Sequence, residues 1–273
     1  MTNGQPKERV DVLLVQRGLV ETREQAKRSI MAGIVFSAET RLEKPGEKIK
    51  IDAPLSVKGS ALKYVSRGGL KLEKALEVFD ITVQEKIVLD IGSSTGGFTD
   101  CALQNGAKHC YALDVGTNQL AWKIRSDERV TVMEKTNFRH AAPEHFTKGT
   151  PQVATIDVSF ISLSLILPPL KQIIADGGDV VALVKPQFEA GKDKVGKKGI
   201  VKEKAVHLEV LQKIAASSTL NGFSLRGISF SPVTGGEGNI EFLFHLQSEE
   251  DPVNPYDESA FRALITEAYK ALT

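Results

Sequence analysis

Four ionisable residues stand at the ends of apolar segments where such groups are unwelcome unless paired or functional. Lys71 opens an amphipathic helical pattern carried by Leu70, Leu72, Ala75, Leu76 and Phe79. Asp157 ends the run A-T-I-D, Lys185 ends A-L-V-K, and Glu241 begins I-E-F-L-F. Any one of them is explained by a structural ion pair. Two lysines and two carboxylates at converging element ends form a candidate reaction site.

A second stretch is suited to holding a cofactor. Ile87 to Phe98 reads I-V-L-D-I-G-S-S-T-G-G-F. Its apolar start predicts a buried parallel strand ending at Asp90. Gly92, Gly96 and Gly97 follow, spaced for a tight turn close to a ligand, and a helical pattern begins at Phe98. A strand, a glycine-rich turn and a helix start hold a nucleotide-like cofactor at the C-terminal edge of a sheet. The spacing is not G-x-G-x-x-G, because Ser94 stands at the second glycine position. Asp90 suits a ligand with an ammonium group. Asp114, at the end of the next strand about twenty residues on, suits a ribose diol. Asn137, in E-K-T-N-F-R, can donate and accept at an adenine edge, or can simply form a turn. Together these residues favour S-adenosylmethionine; a glycine-rich turn in another doubly wound protein is the alternative.

The elements that must position these residues alternate along the chain. Strands are expected at 87–90, 110–114, 130–133, 153–158, 180–184, 223–229 and 240–246. Helices are expected at 98–104, 119–124, 162–174, 202–220 and 259–272. This alternation predicts an α/β fold, a largely parallel sheet with helices on both faces, closed by an antiparallel final pair.

The first sixty residues differ. A short helical stripe (Val10, Leu13, Leu14, Leu19) stops at Gly18, and Thr22 with Gln25 forms a capping box for a helix over 23–32. Strands follow at 34–36 and 47–51. Arg9, Arg17, Arg23, Lys27 and Arg28 concentrate positive charge there, a pattern that tracks phosphates. The run T-R-E-Q-A-K-R-S-I-M-A-G-I-V resembles the core of the S4 RNA-binding domain. Where that family has a V-N-G turn, this chain has F-S-A-E-T. An α+β unit over 1–60 is expected, with a linker (Ala53-Pro54, Lys58-Gly59-Ser60) running to about 64. The larger domain then occupies 65–273.

Across its whole length the sequence resembles the TlyA family, often labelled haemolysin, which joins an S4 domain to an FtsJ-type ribosomal RNA methyltransferase. The resemblance rests on S-R-G-G-L-K-L, D-I-G-S-S-T-G-G-F-T, D-V-G-T-N-Q-L-A-W, D-V-S-F-I-S-L, L-V-K-P-Q-F-E and G-N-I-E. Some relatives have His where this chain has Leu70. The resemblance implies a Rossmann-like domain that methylates ribose 2′-hydroxyls of cytidines in ribosomal RNA, with a Lys-Asp-Lys-Glu tetrad falling on Lys71, Asp157, Lys185 and Glu241. A ribose hydroxyl is a poor nucleophile and must lose its proton during transfer. Lys185 is the expected general base, and must be neutral to act. Asp157 would orient its amine, and Glu241 would hold Lys71 or the hydroxyl. Arg67 and the lysines of 192–204, notably Lys192, Lys194, Lys197 and Lys198, are expected to meet RNA phosphates.

Composition excludes other classes. The 273 residues carry a net charge of +1, so nucleic-acid binding must come from local clusters. Cys101 and Cys110 are the only cysteines, which argues for a reducing, cytoplasmic setting and against a zinc or disulfide scaffold. The first residues lack a signal-like apolar core, and no membrane partner or metal is expected. After Asp157 the chain reads V-S-F, not the (N/D)-P-P-(Y/F) of amino-methylating enzymes, and no cysteine stands where a C5-pyrimidine enzyme needs its nucleophile. The rivals are a non-catalytic RNA-binding or assembly factor and a membrane-active haemolysin.

Overall fold

The computed structural model describes residues 6–20, 22–31, 33–58 and 63–273. It divides into two compact units, Met1–Lys63 and Tyr64–Thr273.

The first unit runs β1 (Lys7–Arg9), α1 (Val10–Gln16), α2 (Arg23–Met31), β2 (Val35–Ser37), β3 (Thr40–Arg41), β4 (Lys48–Lys50) and β5 (Ser56–Val57). Strand β1 pairs antiparallel with β4, and β2 lies between β3 and β5. The Thr22 hydroxyl accepts from the backbone N–H of Gln25 at 3.1 Å, as an N-cap should. The F-S-A-E-T stretch closes as a two-residue hairpin in which Ser37 pairs with Thr40 and Ala38 takes a positive φ of 52°. The core is small: Val10, Leu14, Val20, Ala26, Ile30, Val35 and Leu42. Pro54, expected in a linker, instead leads into β5, where Val57 pairs with Val35. Residues 59–62 of that linker and Ala32 of the expected helix lie outside the described residues.

The second unit opens with α3 (Gly68–Val78), followed by β6 (Ile87–Ile91), α4 (Gly97–Gln104), β7 (His109–Leu113), α5 (Trp122–Arg125) and β8 (Val130–Met133). Then come β9 (Val153–Ile156), α6 (Leu167–Ile173), β10 (Asp179–Val184), α7 (Pro186–Glu189), α8 (Lys204–Leu220), β11 (Phe223–Phe230), β12 (Phe242–Ser248) and α9 (Glu258–Leu272). Seven strands form one sheet in the order β11-β12-β10-β9-β6-β7-β8. Strands β6 to β10 are parallel, and β12 runs antiparallel to both β10 and β11.

Alternate residues of each strand feed two cores. Leu89, Ile91, Ala182, Val184, Phe242 and Phe244 face α6, α8 and α9. Val88, Cys110, Val181, Leu183 and Leu243 face α3 and α4. Two expected helices are shorter than their patterns. The 162–174 segment splits into a 3-10 turn (Leu163–Leu165) and α6, because Pro168 and Pro169 can sit only in a first helical turn. In the 119–124 segment, Asn118 has φ 55° and Ala121 is extended, so the helix begins only at Trp122.

Candidate active site

Chain order reverses between β6 and β9, so the crevice beyond their C-terminal ends is where a doubly wound sheet binds ligands. Asp157 leaves the end of β9, and its N–H donates to the carbonyl of Ile91 at 3.0 Å. Gly92 passes so close that a Cβ there would lie 2.5 Å from the carbonyl oxygen of Asp157. Lys185 leaves the end of the neighbouring β10, held extended (φ −108°, ψ 101°) by the proline that follows it. Because β12 is antiparallel, with Phe242 opposite Val184, its first residues arrive at the same edge. Glu241 immediately precedes it. Lys71 comes from the first turn of α3.

The four side chains form an alternating chain of charge. The Lys71 ammonium lies 2.7 Å from Glu241 Oε2 and 3.6 Å from Asp157 Oδ2. Lys185 Nζ contacts Asp157 Oδ1 and lies 3.3 Å from Ser159 Oγ. The side chains of Lys71, Asp157, Lys185 and Glu241 are 11%, 18%, 9% and 3% exposed. Burying four charges carries a desolvation cost that only close pairing offsets, so the arrangement marks a site. All four line a cavity of about 780 Å³, together with Phe98, Phe160, Gln187, Lys198 and the 233–239 loop.

A second cavity of about 420 Å³ shares Gly92, Ser94, Asp157, Ser159 and Phe160 with the first. Its other walls are apolar (Ile91, Leu113, Val115, Val158) except for Asp114, Gln119, Thr136, Asn137 and Arg139. Asp114 is fixed by two backbone donors, Ser94 N–H at 2.8 Å to Oδ2 and Gly116 N–H at 2.7 Å to Oδ1. Each oxygen keeps a lone pair for a ligand hydroxyl. Asn137 caps a 3-10 turn, its Oδ1 accepting from Arg139 N–H at 3.2 Å, which leaves its amide N–H groups as donors at the cavity wall. A mostly apolar pocket of this size, with an acid at the sugar position, fits a nucleoside ligand such as S-adenosylmethionine.

Four of the expected cofactor residues lie elsewhere. Asp90 is 1% exposed and lines neither cavity. Its Oδ2 accepts from Thr99 N–H (3.0 Å) and Thr99 Oγ1 (2.6 Å), and its Oδ1 from Thr155 Oγ1 (2.9 Å). Burial pushes its carboxyl up to about 6 against those hydrogen bonds. In this position it pins the glycine turn to α4 and β9. Gly96 and Gly97 also line neither cavity. Gly96 caps α4 at φ +92°, and a Cβ on Gly97 would strike Ser66 Oγ at 2.2 Å, so Gly97 lets α4 approach α3. Phe98 faces the larger cavity, not the smaller.

Several site residues carried no sequence signal beyond their motifs. Gln187 Nε2 donates to Glu241 Oε1 at 3.3 Å, Ser159 meets Lys185, and a Cβ on Gly235 would lie 2.1 Å from Glu241 Oε1. Glu189 is buried, with its pKa raised by that burial, and accepts from Ser162 Oγ at 2.6 Å and Leu163 N–H at 2.8 Å. It thereby ties the segment after Asp157 to the helix after Lys185.

Several of the expected RNA-facing cations are engaged inside their own unit. Arg9 grips Asp11 with two bonds (2.9 and 3.0 Å), Arg23 adds a third (3.0 Å), and Arg17 donates to the carbonyls of Ala53 and Ile51. Lys27 is exposed, and Arg28 is partly buried with Nε unpartnered. In the second unit, Arg67 donates to the Thr234 carbonyl at 3.0 Å and borders the larger cavity with Lys198. Lys194 pairs with Glu209, and Lys192 and Lys197 are exposed.

The FtsJ-like methyltransferase profile matches residues 64–248 and the S4 domain profile matches residues 8–53. A Bacillus subtilis protein named "Putative rRNA methyltransferase YqxC" is 63% identical over 97% of this chain and 95% of its own length. "16S/23S rRNA (cytidine-2'-O)-methyltransferase TlyA" of Mycobacterium tuberculosis is 41% identical over 89% of this chain and 91% of its own. A solved structure titled "Putative hemolysin from Streptococcus thermophilus" superposes with a TM-score of 0.78 at 56% identity, covering 98% of each chain. Among the described residues no helix is long and apolar enough to cross a membrane.

Proposed function

The chain belongs to the TlyA family, an S4 domain joined to an FtsJ-like methyltransferase, and from that premise we propose that it methylates the ribose 2′-hydroxyl of a cytidine in ribosomal RNA, using S-adenosylmethionine. One observation carries this reading: Asp157 lines both cavities, while Lys71, Lys185 and Glu241 line the larger and Asp114 the smaller. When bound, the cofactor supplies an electrophilic methyl group on a sulfonium. Asp114 and Asn137 would hold its ribose and adenine.

The remaining chemistry belongs to the chain. Lys185 takes the hydroxyl's proton on Nζ, which requires that it reach the reaction uncharged. Asp157 Oδ1 aims that amine, with Ser159 as its second partner. Lys71, paired with Asp157 and Glu241, offsets the negative charge growing on the ribose oxygen. The buried setting strengthens each of these interactions. Holding the hydroxyl in line supplies much of the acceleration. Ribosomal RNA as substrate would place the protein where ribosomes are assembled.

The test is transfer of radiolabelled methyl to unmodified small and large ribosomal subunits, separately, with the wild type beside Lys185→Ala and the product nucleoside identified. A 2′-O-methylcytidine that disappears in the variant is the expected result. Cofactor binding without transfer to either subunit or to free RNA would refute the substrate. Absence of cofactor binding would favour an assembly factor.

A further inference from the structure

Asn239 is 3% exposed and joins two loops that border the larger cavity. Its amide donates to the carbonyls of Gly199 (2.9 Å) and Gly236 (3.0 Å), and its Oδ1 accepts from Val201 N–H (3.1 Å). One side chain therefore clips the end of the lysine-rich loop to the loop that leads into Glu241.

Both attached segments are tightly built. Residues 196–200 close on themselves, with Gly196 N–H to the Ile200 carbonyl (3.0 Å) and Gly199 N–H to the Gly196 carbonyl (2.8 Å). This turn presents Lys197 and Lys198 to solvent, and Lys198 borders the cavity. On the other side, Gly235 N–H donates to the Asn239 carbonyl at 2.8 Å, which presses Gly235 against the Glu241 carboxylate. Glu241 lies two residues beyond Asn239 and holds Lys71.

We infer that Asn239 is a positioning residue that couples capture of an RNA phosphate on the Lys197–Lys198 turn to the setting of Glu241 and, through it, Lys71. The inference rests on the RNA methyltransferase reading above. A phosphate that draws in the turn pulls on Gly199 and Val201, and the clip passes that movement to the 235–241 loop. Charge on the turn then governs the rate of transfer as well as the affinity for RNA.

Two measurements test it. The first is steady-state transfer to the accepted ribosomal subunit by the wild type, Lys197→Ala/Lys198→Ala, Asn239→Asp, and the combination. Aspartate preserves the bond from Val201 and loses both donations. Asn239→Asp is expected to lower kcat about 10- to 100-fold, the cost of an ångström-scale misplacement. The lysine pair should lower kcat in the wild type but change only KM for RNA in the Asn239→Asp background. Multiplying kcat effects, or an Asn239→Asp defect confined to KM, would overturn the coupling. The second is amide hydrogen exchange of the wild type with and without ribosomal RNA. Residues 196–201 and 235–241 should gain protection together. Protection of the turn alone overturns the coupling whatever the variants do. Joint protection in a protein that transfers no methyl keeps the coupling and refutes the enzymatic reading.

Discussion

Asp11 and Asp90, one in each unit, are both shut away from solvent, and they are held in opposite ways. Asp11 is gripped by guanidinium groups of Arg9 and Arg23, and the hydrogen bonds from Arg9 bring its carboxyl down to about 2. Asp90 has only neutral partners, Thr99 and Thr155, and burial outweighs them. The tetrad is a third solution, in which Asp157 sits between two lysines. Arginine cannot give up its proton in a protein, whereas lysine can when its surroundings demand it. The first unit thus fixes its buried acid with guanidinium groups, and the second holds Asp157 between two lysine side chains.

The largest effect comes from exchanging these strategies. Lys185→Arg should be as inactive as Lys185→Ala, with transfer down about 10³-fold or more, the scale of lost general-base catalysis. An active arginine variant would show that charge, not proton acceptance, is what the position supplies. Next is the pH response of the two buried acids. Asp90, with its folded pKa above the unfolded value, favours folding below about pH 4, and that contribution disappears as pH rises through about 6, a swing of roughly 3 kcal/mol. Urea unfolding of wild type and Asp90→Asn at the two ends of that window should show a pH-dependent difference. A constant difference would mean that burial does not govern Asp90.

Asp11 has the opposite sign. Its folded pKa is depressed, so its contribution is present above about pH 4 and is lost as pH falls toward about 2. Arg9→Ala should destabilise the first unit and lower its thermal midpoint, because the buried Asp11 carboxylate loses its two-pronged partner. Arg9→Lys should recover only part of this, since an ammonium cannot match both oxygens. Full recovery, read from thermal unfolding, would erase the distinction drawn between the two cations. The smallest effect is at the surface: replacing Lys192, Lys197 and Lys198 with alanine should flatten the salt dependence of RNA binding by about two log units per log salt. An unchanged slope would place that loop outside the interface.

What the sequence made legible was governed by local pattern. Apolar runs ending in Asp157 and Lys185 located two strand ends, and the alternation of elements placed them on one sheet edge. Glu241 was legible because a short gap before the last strand implied an antiparallel pair. The role of Asp90 was not legible: Thr155 is 65 residues away, and no spacing rule links the two. Gly97 read as part of a ligand turn because the groups that crowd it, Ser66 Oγ and the Gly69 backbone N, lie at and just before the start of α3, far from it in sequence. Asn239 reaches Gly199 and Val201, 40 and 38 residues away, and Glu189 reaches Ser162 and Leu163, 27 and 26 residues away, contacts that packing determines and periodicity does not reveal.

The reversed strand β12 has a consequence for synthesis. It lies between β10 and β11, so β11, although made earlier, has no sheet partner until residues 242–248 leave the ribosome. The walls of the smaller cavity are complete once residue 166 is made, whereas the fourth tetrad member arrives 75 residues later. The residues that line the smaller cavity are therefore all synthesised before Glu241, the residue that joins Lys71 to the last strand.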